Sequence, residues 1–483
     1  MPRTPDQVAD VAAQAAPYLE SWLEHQRRRM RVPGVQAAVR VGDRVVLDTA
    51  LGLADETTGE ELTTGHLFRI ASHSKTFTAT AVLQLVEEGR MRLDDPIGQW
   101  VPALAEGAPA VAAVTVRELL GHQAGIVRDG GDNDFWQLLH PFPDEQGLLA
   151  TATAGDALTF GRNEHFKYSN VGYSLLGLAI EAVTGTRYAE HLRHAVIDRL
   201  GLADTGPEWA PARAAEYAAG HTALLDGEVT RLRIPHVDTR AMAAATGFYS
   251  TARDLTTYGA AHFTGDGTLL SDAAKRLLRR PESEVRAHGT EPRHYGLGFD
   301  LDTVGERRLV GHSGGYPGHI TRTWFDPDAQ VVVSVLTNCV DGPADVLARG
   351  LLALLDLALA APERAEAAPE RAETAPDPAD PARFTGRWAS LWGVLDVALL
   401  GGRLVLLHPS LPTPAEDWLE LTVEDGSTLR QEAAAGFGSP GEAVEYTWGP
   451  DGTATEVRFG GLTTWPVDAF LARRAGQVAG LPR

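Results

Sequence analysis

Two hydrophobic periods run through this chain, and they divide it into segments. Residues 18–30 show helical spacing, with Arg27, Arg28 and Arg29 at the end and Pro33-Gly34 as the stop signal. Residues 35–41 and 44–49 are rich in apolar and β-branched side chains around a tight turn at Gly42-Asp43, which predicts a hairpin. From about 74 to 280 the spacing is mainly helical, with long loops. One predicted helix covers 76–88, apolar at Phe77, Ala81, Val82, Leu85 and Val86 and closed by Gly89; it follows an apolar strand end at 67–71. A second covers 171–183, apolar almost all round and so expected to be deeply packed. Strand patterns return at 295–300, 307–311, 320–325 and 330–337, and a helix over 344–359 closes the segment. Strands at both ends with helices between them predict an α/β (α+β) domain. Its antiparallel sheet is assembled from distant segments, flanked by helices and joined by a helical subdomain.

The pattern then breaks. Ala361-Pro-Glu-Arg-Ala-Glu366 recurs at Ala368-Pro-Glu-Arg-Ala-Glu373, followed by Pro376, Pro378 and Pro381, a low-complexity linker with no apolar face to bury. From Phe384 onward, short alternating runs (395–400, 404–407, 457–459) are separated by glycine pairs, which predicts a small all-β barrel. Trp388, Trp392, Trp418, Trp448 and Trp465 are expected to pack its core and rim. The expected division is therefore 1–360, a linker over 361–383, and a barrel over 384–483.

Composition narrows the function. At 44% hydrophobic and 22% charged, the 483 residues are those of an ordinary globular protein. A net charge of −21 argues against nucleic acid or an anionic membrane as partner. Cys339 is the single cysteine, so no intrachain disulfide can form. With neither a basic-then-apolar leader nor a spanning run in the sequence, a cytoplasmic location is expected.

Basic residues carry the sharpest chemical signal. Only three are lysine, against forty arginines, and one lysine lies in Ser72-His73-Ser74-Lys75. A desolvated ammonium can lose its proton in a protein, whereas a guanidinium does not. Ser-x-x-Lys at a helix start therefore suits a serine nucleophile activated by a lysine one turn away, with the helix N-terminus favouring negative charge on the serine. Tyr168-Ser169-Asn170 opens the second buried helix. There a phenol beside a lysine is expected to have a lowered pKa and to relay a proton, while Asn170 presents its amide to Ser72 and to a substrate carbonyl. Lys167 adds positive potential. In His312-Ser313-Gly314-Gly315 the glycines predict a close backbone approach. The Gly315 N–H is the candidate partner of the Ser72 N–H in an oxyanion hole, and His312 the candidate donor to a substrate carboxylate or carbonyl. Whether Lys75 or Tyr168 is the base stays open at this level. Metal binding by His191 and His194 is disfavoured, because no carboxylate or cysteine pattern accompanies them.

In order and spacing, these three motifs resemble those of the serine β-lactamase and penicillin-binding-protein superfamily. Within it they are similar to the class C β-lactamase, D-aminopeptidase and family VIII esterase branch, over about residues 20–360. Leu93-Asp94-Asp95-Pro96, the Thr115–His122 segment and Ser250-Thr251-Ala252-x-Asp254-Leu255 add to the match. His312 stands where many relatives carry the lysine of Lys-Thr-Gly, as in the family's aminopeptidases, esterases and acyltransferases, and it points away from penicillin binding. Gln123-Ala124 replaces a usual Thr-Ser. The tail resembles the lipocalin-like barrel of several such peptidases and of penicillin-binding-protein-type thioesterases that release and cyclise nonribosomal peptides.

The resemblance implies a serine hydrolase or acyltransferase working through a Ser72 acyl-enzyme on peptide-like esters, thioesters or amides with D-configured residues. Ser72, Lys75, Tyr168, Asn170 and His312 would act catalytically, Ser313 and Gly314 would bind substrate, and no metal or organic cofactor is needed. An off-loading cyclase ranks second, its peptide presented on a carrier protein. A non-catalytic binding protein ranks third. Arg458 is a candidate carboxylate anchor from the barrel.

Overall fold

The computed structural model describes residues 4–286, 292–360, 380–432 and 441–479, with residues 477–479 described by backbone alone. By internal contacts the chain divides into two units, one of Arg31–Ala348 and one of Met1–Met30 with Arg349–Arg483. The division falls inside the helix at 344–359 and not at residue 360. The linker expected over 361–383 lies outside the described residues except for 380–383. The principal helices are α1 (Pro5–Arg29), α2 (Ser74–Glu87), α3 (Asn170–Thr184), α4 (Ala252–Ala260), α5 (Ala344–Leu359) and α6 (Val467–Ala479). Among the described residues, no helix is long and apolar enough to cross a membrane.

The Arg31–Ala348 unit is built on a nine-stranded antiparallel sheet. Its strands are β1 (Gly34–Val41), β2 (Arg44–Asp55), β3 (Glu60–Glu61), β4 (Ser283–Val285), β5 (Arg293–Tyr295), β6 (Asp300–Val304), β7 (Arg307–Tyr316), β8 (His319–Asp326) and β9 (Val331–Thr337). The spatial order is β3-β2-β1-β9-β8-β7-β6-β5-β4, so the first hairpin joins the late meander through β1 and β9, with Val35 opposite Thr337. Every residue of β9, Val-Val-Val-Ser-Val-Leu-Thr, is buried, as a strand covered on both faces requires. On one face α4 comes close enough that a Cβ on Gly259 would lie 2.9 Å from Val332 Cγ1.

The strand expected over 295–300 is two strands, because Gly298 turns the chain between them at φ +87°. A Cβ there would lie 2.4 Å from Ala79 Cβ, so the turn presses on α2 and only glycine fits. Helix α2 is buried without a break from Ser74 to Leu85. Its threonines survive burial by bonding back along the helix: Thr76 Oγ1 donates to His73 O (2.8 Å), Thr78 Oγ1 to Ser74 O (3.0 Å) and Thr80 Oγ1 to Thr76 O (2.9 Å).

In the other unit, eight strands close a barrel: β10 (Gly386–Ser390), β11 (Gly393–Leu400), β12 (Arg403–Leu407), β13 (Trp418–Val423), β14 (Thr428–Gln431), β15 (Ala443–Trp448), β16 (Ala454–Phe459) and β17 (Leu462–Pro466). Closure comes from β17 on β10, with Trp465 opposite Ala389. Side chains such as Phe384, Trp388, Val397, Leu404, Leu429 and Val457 fill the interior, while Trp392 is 89% exposed. Helix α1 belongs to this unit and is longer than its spacing predicts. A Thr4–Gln7 capping box starts it, and Pro17 lies within it. It is latched to the barrel by polar contacts: Tyr18 OH donates to Asp396 Oδ2 (3.1 Å), Arg387 Nη1 donates to Ser21 O (3.2 Å), and Gln26 Nε2 donates to Pro409 O (2.6 Å). Helix α6, after the last strand, is not apparent from the sequence pattern.

Candidate active site

Ser72 sits in a one-turn 3-10 helix, Ala71–His73, that leads directly into α2. The turn is held from several sides. Ala71 has φ +45°, and Ser74 Oγ donates back to Ala71 O (2.5 Å) while accepting from Phe248 N (3.0 Å). His73 is buried and neutral, its pKa lowered by burial to about 3; its ring nitrogens meet Ile70 O (3.1 Å) and Thr323 Oγ1 (3.0 Å). From the sheet side, Gly314 on β7 packs against the same turn, where a Cβ would lie 2.1 Å from Ile70 O. This is the close approach expected from the glycines, and Gly314 makes it. Gly315 is exposed, and its Cβ position meets only Ile320 Cδ1 at 3.6 Å.

Ser72 is half-buried, and its Oγ meets two of the expected partners. Lys75 Nζ lies 3.2 Å away and the Tyr168 hydroxyl 2.8 Å away. Lys75 is fully buried, and Nζ also donates to Asn170 Oδ1 (2.8 Å) and Ala245 O (2.9 Å). Burial holds its pKa well below the usual lysine range, with Asp129 opposing the shift and Arg128 adding to it. A neutral amine has two N–H groups and one lone pair. In that neutral form the two carbonyl oxygens would take the two N–H groups, and the lone pair would face the Ser72 hydroxyl.

Tyr168 corrects an expectation. Its phenol is pushed up, not down, because burial outweighs the Arg128 charge nearby, so it stays protonated and donates to Ser72 Oγ. Asn170 does not reach Ser72. Its Nδ2 donates to Asp129 Oδ1 (2.7 Å), and because a carboxylate only accepts, that bond fixes the amide with Oδ1 toward Lys75. His312 also departs from its expected role. Its Nδ1 donates to Ser313 O (2.6 Å), its Nε2 accepts from Tyr295 OH (3.0 Å), and burial lowers its pKa to about 4. A neutral ring with both nitrogens engaged has no donor left for substrate. Ser313 is exposed, with no side-chain hydrogen bond among the described residues. Arg458 is exposed on β16 in the other unit and donates to Gly461 O (3.3 Å) in its own hairpin. Asp129, Arg128, Tyr295 and the Ala245 carbonyl complete the cluster. The sequence pattern names none of them as site residues.

A protein-family model described as Beta-lactamase matches residues 19–358. The chain belongs to the beta-lactamase family. Among beta-lactamase-fold structures, SurE aligns with a TM-score of 0.58 and 27% identity over 95% of this chain and 100% of that one. A D-stereospecific amidohydrolase from Streptomyces sp. aligns with a TM-score of 0.57 and 26% identity over 67% and 94%. Esterase EstB of Burkholderia gladioli is 31% identical over 209 residues, 40% of this chain and 52% of EstB. The chain spans still less, 37%, of the length of other curated relatives that it matches.

Proposed function

We propose that the chain is a serine hydrolase or acyltransferase whose Ser72 forms an acyl-enzyme with peptide-like esters, thioesters or amides carrying D-configured residues. The observation that carries the reading is the Ser72 Oγ contact with Lys75 Nζ at 3.2 Å and Tyr168 OH at 2.8 Å, around a lysine whose pKa burial lowers well below its ordinary range. Ser72 Oγ attacks the carbonyl carbon and passes its proton to Lys75. The Ser72 and Gly315 N–H groups receive the oxyanion. As the carbonyl bond to the leaving group breaks, Tyr168 gives its hydroxyl proton to the departing atom, and the proton taken up by Lys75 restores the phenol. Water or an amine then reverses the sequence to release product.

Similarity to a D-stereospecific amidohydrolase and to SurE, which is also solved with D-Leu, supports the D-configured preference. An off-loading thioesterase is the same chemistry with the peptide's own amine as acceptor. The closed barrel, also spanned by the match to SurE, favours keeping that as the second reading.

Intact-mass measurement after brief exposure to matched peptidyl thioesters ending in a D- or L-residue tests this, with Ser72→Ala alongside. A D-selective adduct that requires Ser72 is expected. Its decay to free acid marks a hydrolase, and its decay to a ring marks the cyclase. No adduct from a folded protein overturns the reading.

A further inference from the structure

Lys75, Arg322 and Arg128 lie around the Ser72 cluster, and they differ in what they have left to offer. Lys75 is committed to Ser72, Asn170 and Ala245. Arg322 is buried and paired with Asp300 (2.6 Å) and Asp345 (3.1 Å). Arg128 is 63% exposed. Its Nε donates to Asp129 Oδ2 (3.1 Å), and its guanidinium carbon lies 5.4 Å from the centre of the Tyr168 ring. Among the described residues, its two terminal nitrogens have no protein partner. Its backbone is fixed as well, since Arg128 O accepts from Asn170 N (2.9 Å) and Val171 N (3.2 Å) at the start of α3.

The Arg128 guanidinium is thus pre-positioned by a buried carboxylate and lies over the ring whose hydroxyl touches the nucleophile. Its unused edge is a planar two-donor fork, which suits a carboxylate. On the opposite wall His312 is neutral with both nitrogens taken, so β7 offers a substrate anion no side-chain cation there.

We propose that Arg128 forms an anion subsite on the leaving-group side of the scissile bond. The favoured substrates are then esters, thioesters or amides whose departing portion carries a carboxylate a few bonds from the scissile atom. The inference rests on the Ser72 acyl-enzyme reading and names the substrate class for it. The side is set by Tyr168, which the mechanism uses to hand the proton to the departing atom. In a thioester, the Ser72 Oγ–carbon bond forms as the carbon–sulfur bond breaks, and the serine proton leaves on the thiol. Arg128 neutralises the carboxylate of that thiol throughout.

The test compares two thioesters of N-acetyl-D-alanine, one with 3-mercaptopropionate and one with its methyl ester, which differ in one negative charge and one methyl group. Wild type is expected to favour the carboxylate roughly tenfold in kcat/KM, mostly through KM, as one charge-assisted pair allows. The preference should fade at high salt. Arg128→Gln should bring the ratio to about one, and Arg128→Lys should keep part of it. A merely structural role would slow both thioesters alike and leave the ratio intact. A wild-type ratio near one, or a ratio that survives Arg128→Gln, overturns the subsite. If Ser72 acylates equally with both compounds, the subsite alone fails; if neither compound acylates it, the acyl-enzyme reading fails with it.

Discussion

Replacing Lys75 with arginine puts a permanent cation one turn from Ser72 and leaves no lone pair to take the serine proton. Lys75→Arg is therefore expected to lower kcat for acylation by about 10³-fold, within the usual range for a general base, while the protein stays folded. Stopped-flow acylation with a chromogenic ester checks it, and a loss under tenfold would sink the neutral-lysine mechanism. Asp129 allows a test of sign. Its charge raises the Lys75 pKa against the effect of burial, so Asp129→Asn should lower that pKa further. The ascending limb of the kcat/KM profile, where Lys75 loses its proton, should then move to lower pH. A limb that stays or moves up would contradict the assignment. Ser72, Lys75 and Tyr168 are readable from sequence because spacing and helix position carry their geometry. The direction of the Tyr168 shift, the amide orientation of Asn170 and the engagement of both His312 nitrogens are not. Each depends on how tightly distant segments close over the group, and Asp129 and Tyr295 come from a loop and a strand with no motif of their own.

At the scale of elements, β7 meets the nucleophile turn through one glycine and leaves the next one free. Gly314→Ala should destabilise the protein by about 2–3 kcal/mol and abolish acylation, since its Cβ would meet Ile70 O at 2.1 Å. Gly315→Ala should change stability by no more than about 0.5 kcal/mol. Chemical denaturation of the two variants distinguishes them, and equal stability would refute the packing argument. The paired glycines were visible in the sequence, but their division of labour was not, because it depends on which face of β7 meets the turn. The same holds for the loops at 129–144 and 222–245. Their length was plain, yet they are joined through a small apolar cluster of Phe135, Phe142 and Met242 that no period announces.

For the whole molecule, buried neutral histidines set the response to acid. His73 and His236 have pKa values lowered by burial to about 3, and His262 and His312 to about 4. Their ordinary value is about 6.5. The unfolded chain thus binds protons as pH falls below 6.5 while the folded chain does not, and their contribution, complete above 6.5, is lost toward pH 4. Glu208 and Asp254, pushed up by burial, offset part of the loss. Tm should be level from pH 8 to 7 and lower by about 5–10 °C at pH 5; calorimetry showing no fall would refute this. The strands at both ends of the first unit and the closed barrel follow the sequence pattern well, because alternation and turn signals are local. The grouping of α1 with the barrel does not, since it depends on a latch that pairs Tyr18 with Asp396.

That latch has a consequence for how the chain is made. Gln26 meets Pro409 across 383 residues of sequence. At ordinary translation speeds of about 5–20 residues per second, the first long helix leaves the ribosome roughly 20 to 80 seconds before its barrel partner exists. Over that interval its polar anchors Tyr18 and Gln26 lack their mates, so the helix stays unlatched until the barrel has been made.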